Sequence, residues 1–215
     1  MPLLRRRFLV IVFGLLAGLG GQAPAVVAQA GNERPPRAEL QGRALLSALR
    51  SGGYILYFRH TSTDFGQSDE RMSGYEDCAL QRNLTDTGRS EARALGAALR
   101  DLDIPVGDVL ASPYCRTMET ARLMFGRATA TPAVRGGPAQ PESPARYAAL
   151  LELLWKPVAP GRNLAIAGHG NPFQAVAGGP YLAEGEAAVI EPRGPEGFRV
   201  VARVRKDAWV ELPSR

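Results

Sequence analysis

The chain is poor in the residues on which most catalytic and metal-binding sites depend. Its 215 residues include two histidines and two cysteines, and only two of its 26 basic residues are lysines. Two histidines and two scattered cysteines give no ligand spacing for a zinc site. The sequence also lacks the glycine-rich loop with lysine that cradles nucleotide phosphates and the Gly-x-Ser-x-Gly turn of serine hydrolases. These absences argue against zinc, P-loop and serine-hydrolase chemistry.

Neither cysteine fits the loop of the cysteine phosphatases, in which an arginine follows the nucleophile at a fixed distance. Arg122 lies one residue too far from Cys115, and the spacing from Cys78 to Arg82 is also wrong. The formal net charge of +5 falls to +2 without the three arginines at positions 5–7, and the remaining charges of both signs are interspersed. We therefore expect no nucleic-acid partner.

The first 30 residues have the features of an export signal. Arg5 to Arg7 form a basic segment, Phe8 to Leu19 is uncharged and apolar, and Ala28-Gln29-Ala30 has the small-x-small pattern of a cleavage site. The apolar stretch is shorter than the ~20 residues that span a bilayer. We expect a signal peptide over residues 1–30, and a partial twin-arginine pattern also fits Tat export. The mature protein is then periplasmic or secreted, with no stable membrane insertion.

The remaining chain is long enough for one domain with a full core. Residues 31–38 are polar and contain proline, which predicts a flexible start, and residues 39–215 form the single domain. Helical and strand-like segments alternate along it, which is typical of a mostly parallel sheet with helices on both faces. Strand-like segments at 187–190 and 198–204 predict an antiparallel hairpin near the C-terminus. The expected fold is a three-layer αβα sandwich.

Local signals predict the individual elements. Thr85 is a capping residue for a helix that reaches about Leu102, and Ser143-Pro144 predicts the start of a helix that ends at Trp155. Residues 127–144 are rich in proline, glycine and alanine, which predicts a loop. The other signals predict a helix before Gly52, strands over 54–58, 106–111 and 164–167, and a helix over 114–125.

Both histidines stand where a sheet presents ligand-binding residues. His60 follows the apolar run Tyr54–Phe58 and Arg59, and His169 follows the run Leu164–Ala167 and a glycine. Residues just past the ends of buried strands face the ligand crevice in open α/β sheets. A neutral imidazole can attack phosphorus, and guanidinium groups bind phosphate oxygens in pairs. This pairing indicates phosphoryl chemistry, although a structural Arg-His pair that closes a strand also fits the isolated dipeptide.

A second arginine follows another predicted strand. Ser112-Pro113 ends that strand and Arg116 opens the next helix, where free N–H groups and the helix dipole attract anions. Arg116 could therefore join Arg59 on one phosphate. The competing interpretations are a surface arginine, common in so arginine-rich a chain, and a core histidine at His169.

Taken together, these motifs resemble those of the histidine phosphatase superfamily, the phosphoglycerate mutase-like proteins. Arg59-His60-Thr61 is similar to the family's Arg-His-Gly, with threonine in place of glycine. Three further segments resemble, in order, the family's Leu-Thr-x-x-Gly, second-arginine and second-histidine motifs: Leu84–Arg89, Ser112–Ala121 and Gly168–Asn171. The resemblance covers the chain from about Tyr54 to Val204.

The resemblance implies that His60 becomes phosphorylated and that Arg59, Arg116 and His169 hold the phosphoryl group. It implies neither a metal nor another cofactor. The residues expected to line the phosphate pocket beside these four are Thr61, Arg82 and Asn83.

The leaving oxygen needs a proton, so we expect a carboxylic acid near it. Small exported members of the family have a Gly-Glu pair just before the last hairpin, which makes Glu186 the preferred general acid. Glu184, Glu142 and Glu152 are the alternatives, and each of the four could equally be a solvated surface acid.

Cys78 and Cys115 are expected to form a disulfide, because export places them in an oxidising compartment and Cys115 directly precedes Arg116. Two unpaired thiols are the alternative. The expected activity is that of an exported phosphatase acting on a small-molecule or glycan phosphomonoester. A phosphate-binding module that has lost turnover and a phosphotransferase or mutase remain as alternatives, and no oligomeric state is predicted.

Overall fold

The computed structural model describes residues 39–138 and 140–214. The predicted signal peptide and the flexible start lie outside these residues. None of the helices in the described part has the length and apolar character needed to cross a membrane.

A six-stranded sheet forms the centre of the domain, and its spatial order is β3-β2-β4-β1-β5-β6. The neighbours β3, β2, β4 and β1 run parallel, whereas β5 is antiparallel to both β1 and β6. The sheet is therefore mostly parallel with an antiparallel hairpin at one edge, which confirms the predicted fold class. The strands are β1 Ile55–Arg59, β2 Val106–Ala111, β3 Thr129–Ala130, β4 Asn163–Gly168, β5 Ala187–Pro192 and β6 Phe198–Val204.

Helices cover both faces of this sheet. Alternate side chains of β1 point to opposite faces, as a pleated strand requires: Leu56 and Phe58 pack in one buried cluster, and Ile55 and Tyr57 pack in the other. The first face carries α1 Gly42–Ser51, α2 Asp86–Asp101 and α3 Cys115–Phe125, and the second carries α4 Ala148–Trp155 and α5 Gly170–Ala177.

The helix ends follow the local signals. The Thr85 hydroxyl accepts a hydrogen bond from the Gly88 amide at 3.0 Å, so this residue caps α2 as predicted. Gly126 adopts a left-handed conformation with φ of 72° and ends α3.

Five short elements differ from the prediction. Residues 127–144 are not a plain loop, because they include β3, which is held by pairing with β2, and a 3-10 turn at Pro132–Val134. The helix after Ser143 begins as a 3-10 turn at Pro144–Tyr147 before α4. The helix α5 was not predicted, since glycine and proline in its first turn weaken the helical signal. A closing 3-10 segment, Trp209–Ser214, was also not predicted.

A disulfide joins Cys78 and Cys115, whose Cα atoms are 5.7 Å apart. Cys78 lies in the irregular segment between β1 and α2, and Cys115 is the first residue of α3. The Gln81 side-chain oxygen also accepts a hydrogen bond from the Cys115 amide at 2.9 Å. These contacts hold the irregular segment against the first turn of α3, directly beside Arg116.

Candidate functional site

Three neighbouring parallel strands bring the two histidines together. His60 follows β1 and His169 follows β4, while Ser112 follows β2 on the far side of β4. The register pairs Arg59 with Gly168, so the next residue of each strand leaves the sheet at the same level. The two imidazole rings lie with centroids 5.6 Å apart. This is the edge at which open α/β sheets bind ligands.

His60 is held as a neutral imidazole. Its side chain is buried, and Nδ1 lies 3.0 Å from the Thr61 carbonyl oxygen. A carbonyl oxygen only accepts, so Nδ1 carries the proton and Nε2 keeps its lone pair. Burial, followed by the charges of Arg116, Arg59 and Arg82, lowers the pKa of His60 to about 3. The unprotonated Nε2 is the nucleophilic form of the ring.

Three arginines with buried Nε atoms lie near the two histidines. The charges of Arg59, Arg82 and Arg116 all lower the pKa of both imidazoles, which places all three near the rings. In each of the three, the Nε atom is buried and has no hydrogen-bond partner among the described residues. Buried donors without partners are costly and rare in native proteins. Three such donors around a neutral imidazole fit an oxyanion as their ligand.

The other donors of two of these guanidiniums are taken by the protein. Arg59 donates from Nη1 to the Leu182 carbonyl at 2.9 Å and from Nη2 to Glu184 at 3.4 Å. Arg116 binds both carboxylate oxygens of Asp69, each at 2.9 Å. The protein thus fixes the Nη groups of both guanidiniums and leaves their Nε groups available.

Asp69 is a site residue that the sequence analysis missed. Its carboxylate pairs with Arg116 across 47 positions of the chain, and it also accepts the Arg82 amide proton at 2.9 Å. The residue lies in the irregular segment between β1 and α2, where neither periodicity nor a motif distinguishes it from the other acids. The nearby disulfide holds this segment in place and is the one signal that could have pointed to it.

His169 is buried beside His60 and is fixed from several sides. The Tyr57 hydroxyl donates to the His169 carbonyl at 2.9 Å and accepts from its amide at 3.1 Å. On the ring, Nε2 lies 2.8 Å from the Ser112 hydroxyl, and the Tyr114 ring packs edge-on at 4.9 Å. Burial and the neighbouring positive charges hold the pKa of His169 well below its ordinary value.

Thr61 and Asn83 were expected to line the phosphate pocket. The buried Thr61 hydroxyl lies 3.3 Å from the Thr120 hydroxyl, which itself donates to the Arg116 carbonyl at 2.7 Å. Thr61 therefore packs the turn after β1 against α3. Asn83 donates to the Cys78 carbonyl at 2.8 Å, within its own segment. Direct phosphate contacts from these two side chains stay predictions.

Of the four candidate acids, Glu184 lies close to His60, and Glu186 lies two residues further along the same segment. Glu184 accepts from the Thr63 hydroxyl at 2.7 Å, and its carboxylate is 3.8 Å from His60 Nδ1. The Glu186 carboxylate accepts from the Ala183 amide at 2.7 Å. Both glutamates line a cavity of about 400 Å³ that Arg59 also borders.

The other two candidate acids lie on exposed surface. Glu142 is exposed just ahead of the 3-10 turn that precedes α4. Glu152 is on α4, where it borders a different cavity beside Trp155. The structure therefore brings Glu184 and Glu186, but not Glu152, into one cavity with a site arginine.

Exposed aromatic rings lie over two of the site arginines. The Arg82 guanidinium stacks on Phe65 with 4.8 Å to the ring centroid, and Arg59 lies 5.2 Å from the centroid of Tyr181. The two rings are 71% and 48% exposed, so they form part of the rim of the site. In the described part of the chain, no group of three or more His, Cys, Asp or Glu side chains could hold a metal ion.

Comparison with known proteins agrees with this site. Residues 55–136 match the family model of the histidine phosphatase superfamily, branch 1. The matched residues include three of the four motifs that resemble this superfamily. No curated protein matches the sequence.

Solved structures of phosphatases resemble the fold at low sequence identity. A mutant phosphoserine phosphatase from Entamoeba histolytica, in complex with phosphoserine, has a TM-score of 0.50 at 9% identity, covering 72% of this chain and 98% of its own. The protein histidine phosphatase SixA complexed with tungstate has a TM-score of 0.49 at 16% identity, with 71% and 97% covered. A mycobacterial glucosyl-3-phosphoglycerate phosphatase with VO3 has a TM-score of 0.46 at 16% identity, with 69% and 97% covered.

We predict that His60 stays neutral in the folded protein far below the ordinary histidine pKa. Its folded pKa is about 3, whereas an unfolded histidine titrates near pH ~6.5. Between these values the unfolded chain binds more protons, so the contribution of His60 to the free energy of unfolding is lost as pH falls from ~6.5 toward 3. Ring NMR signals followed from about pH 8 to 5 should show no titration of His60.

The control for this prediction is His60→Gln, which removes the titrating group. Urea unfolding of the variant should show a shallower loss of stability on acidification than the wild type does. A His60 ring that titrates near pH ~6.5 in the folded protein would contradict the account.

Proposed function

We propose that this protein hydrolyses phosphomonoesters through a phosphohistidine intermediate on His60. The observation that carries the proposal is the set of three buried, unpartnered Nε–H groups, from Arg59, Arg82 and Arg116, around a neutral imidazole. A transferring phosphoryl group has three nonbridging oxygens that accept such bonds, and its transition state spreads charge over them. The match of residues 55–136 to the histidine phosphatase superfamily model supports a phosphatase activity.

In the first step, His60 Nε2 attacks phosphorus. The bond between phosphorus and the leaving oxygen breaks, and that oxygen takes the electron pair and a proton from a carboxylic acid. The imidazole gains positive charge, while Nδ1 keeps its proton and its hydrogen bond to the Thr61 carbonyl. The Glu184 carboxylate, 3.8 Å from Nδ1, stabilises this charge.

In the second step, a water molecule attacks phosphorus and the bond to His60 Nε2 breaks. The carboxylate formed in the first step accepts a proton from the water, and phosphate leaves. The imidazole returns to its neutral form, so the protonation state at the start of the cycle is restored. Burial, which keeps the pKa of His60 low, favours this return.

The arginines supply most of the stabilisation in both steps, because fixed donors aimed at developing charge need no reorganisation. Asp69 and Glu184 hold Arg116 and Arg59 by their Nη atoms, so the guanidiniums are oriented before substrate binds. Arg82 stacks on Phe65 and adds a third donor. His169 completes the set beside His60.

We propose Glu186 as the general acid. The Glu184 carboxylate is already engaged by Thr63 and Arg59 and lies 3.8 Å from His60 Nδ1. The Glu186 carboxylate accepts one hydrogen bond from the Ala183 amide. Glu186 lines the same cavity beside Arg59, and that cavity has room for the organic part of a phosphomonoester.

The substrate class we propose is a small-molecule or glycan phosphomonoester. The phosphoserine phosphatase whose fold this chain shares was solved with phosphoserine, which is itself a phosphomonoester. The cavity beside Arg59 carries both signs of charge, from Glu184, Glu186 and Lys206, which suits hydroxylated and charged leaving groups.

Substitution of His60 and Arg82 tests the proposed activity. We expect His60→Ala to reduce hydrolysis of an aryl phosphate by roughly 10³–10⁶-fold, and the wild type to yield an acid-labile phosphoenzyme on acid quench. Arg82→Gln removes one oxyanion donor and should reduce kcat by roughly 10²–10³-fold. Arg93→Gln, an exposed arginine on α2, is the matched control and should leave the rate unchanged.

Three outcomes would contradict this proposal. Full activity of His60→Ala would remove the phosphohistidine intermediate. Tight binding of phosphate without turnover would instead indicate the phosphate-binding module, and transfer of the phosphoryl group to an added alcohol in preference to water would indicate a phosphotransferase.

Leaving groups of different basicity test Glu186. Aryl phosphates have good leaving groups and need little acid help, whereas alkyl phosphates depend on it. We expect Glu186→Gln to slow alkyl phosphate hydrolysis by roughly 10²–10⁴-fold with a much smaller effect on aryl phosphates. Glu142→Gln, an exposed acid, should slow neither. An equal loss on both substrate classes would remove Glu186 from the mechanism.

We also propose that the protein is exported with cleavage after Ala30, which makes it periplasmic or secreted. The basic segment, the apolar stretch and the small-x-small site of the sequence support this, and so does the bond between Cys78 and Cys115, since disulfides persist in oxidising compartments. Amino-terminal sequencing of the protein recovered from its native compartment should begin at Gly31. An intact amino-terminus at Met1 with both thiols free would contradict export.

A further inference from the structure

Ser112 lies against one ring nitrogen of His169, Nε2. The hydroxyl is 2.8 Å from His169 Nε2, and both side chains are buried. A methyl group built on Gly136 would lie 3.5 Å from the same nitrogen, so the chain closes over this edge of the ring. Nδ1 is therefore the ring nitrogen left to bind a ligand.

A neutral imidazole carries one N–H, and its position decides whether Nδ1 attracts or repels an anion. Burial and the charge of Arg116 keep His169 neutral. With the proton on Nδ1, the ring donates a hydrogen bond to an anion and Nε2 accepts from the Ser112 hydroxyl. With the proton on Nε2, the lone pair of Nδ1 would face the anion instead.

We propose that Ser112 is a positioning residue that fixes His169 as the Nδ1–H tautomer by donating its hydroxyl proton to Nε2. The inference rests on the proposed function, in which His169 holds the phosphoryl group. His60 is fixed in the same tautomer in a different way, because a carbonyl oxygen accepts a hydrogen bond from its Nδ1. One histidine thus presents a lone pair to phosphorus, and the other presents a proton to a phosphoryl oxygen.

This role explains why a serine stands at position 112, directly after β2. A hydroxyl can donate to Nε2, whereas an alanine would leave both tautomers available to the ring. The backbone of Ser112 is fixed independently, since its amide donates to the Ala167 carbonyl at 2.9 Å and its carbonyl accepts from Thr117 at 2.8 Å. Loss of the hydroxyl therefore removes the tautomer control without removing these backbone contacts.

Nitrogen-15 NMR of histidine-labelled protein tests the proposal, and two histidines make the spectrum simple. Two-bond nitrogen–hydrogen correlations distinguish Nδ1–H from Nε2–H rings, and His60→Gln assigns the two ring systems. We expect His169 in the wild type to be wholly Nδ1–H, and in Ser112→Ala to populate both tautomers. The dissociation constant of inorganic phosphate should rise about ten- to a hundredfold in this variant.

Ser112→Thr is the matched control, because it keeps the hydroxyl and should restore both the tautomer and phosphate binding. A wild-type His169 protonated on Nε2, or an unchanged Nδ1–H ring in folded Ser112→Ala, would overturn the proposal. The tautomer is read without turnover, so it can hold even if His60→Ala shows that no phosphohistidine forms, and the two proposals fail separately.

Discussion

The site depends on keeping the imidazole of His60 neutral beside three positively charged arginines. His60 is buried and faces three guanidiniums, so a proton on its Nε2 would be repelled. The Thr61 carbonyl accepts a hydrogen bond from the protonated Nδ1, so the lone pair of the ring is on Nε2. Buried Nε–H donors without acceptors are unfavourable by themselves, because they lose their hydration. A bound anion relieves that cost, and for this reason we propose a phosphoryl group as the ligand.

Acidic side chains and a covalent bond make this arrangement possible. Asp69 and Glu184 neutralise part of the charge and bind Nη atoms of Arg116 and Arg59, whose Nε groups have no hydrogen-bond partner among the described residues. Asp69 lies in an irregular segment that has no helix or strand to hold it, and the disulfide at Cys78 ties this segment to α3. The precision of the phosphate site therefore rests on parts of the chain outside the sheet.

Apart from β3 and α5, the sequence predicted the strands, the α-helices and the residues at the strand ends, because these follow from periodicity, caps and motifs. It did not predict the contacts that pair distant positions. Asp69 meets Arg116 across an irregular segment, and Ser112 meets His169 only because β2 and β4 are neighbours in the sheet. The short strand β3 was missed for the same reason, since its pairing and not its composition makes it a strand. Glu184 appeared among the acids, but its place beside Nδ1 of the nucleophile is a property of the fold.

A structure with bound orthovanadate tests the central claim most directly, because this anion mimics the phosphoryl group in transfer. The account predicts vanadium bonded to Nε2 of His60, with its oxygens bound by the Nε groups of Arg59, Arg82 and Arg116. Vanadate bonded through Nδ1, or bound at another surface while these three Nε groups remain without a partner, would contradict it.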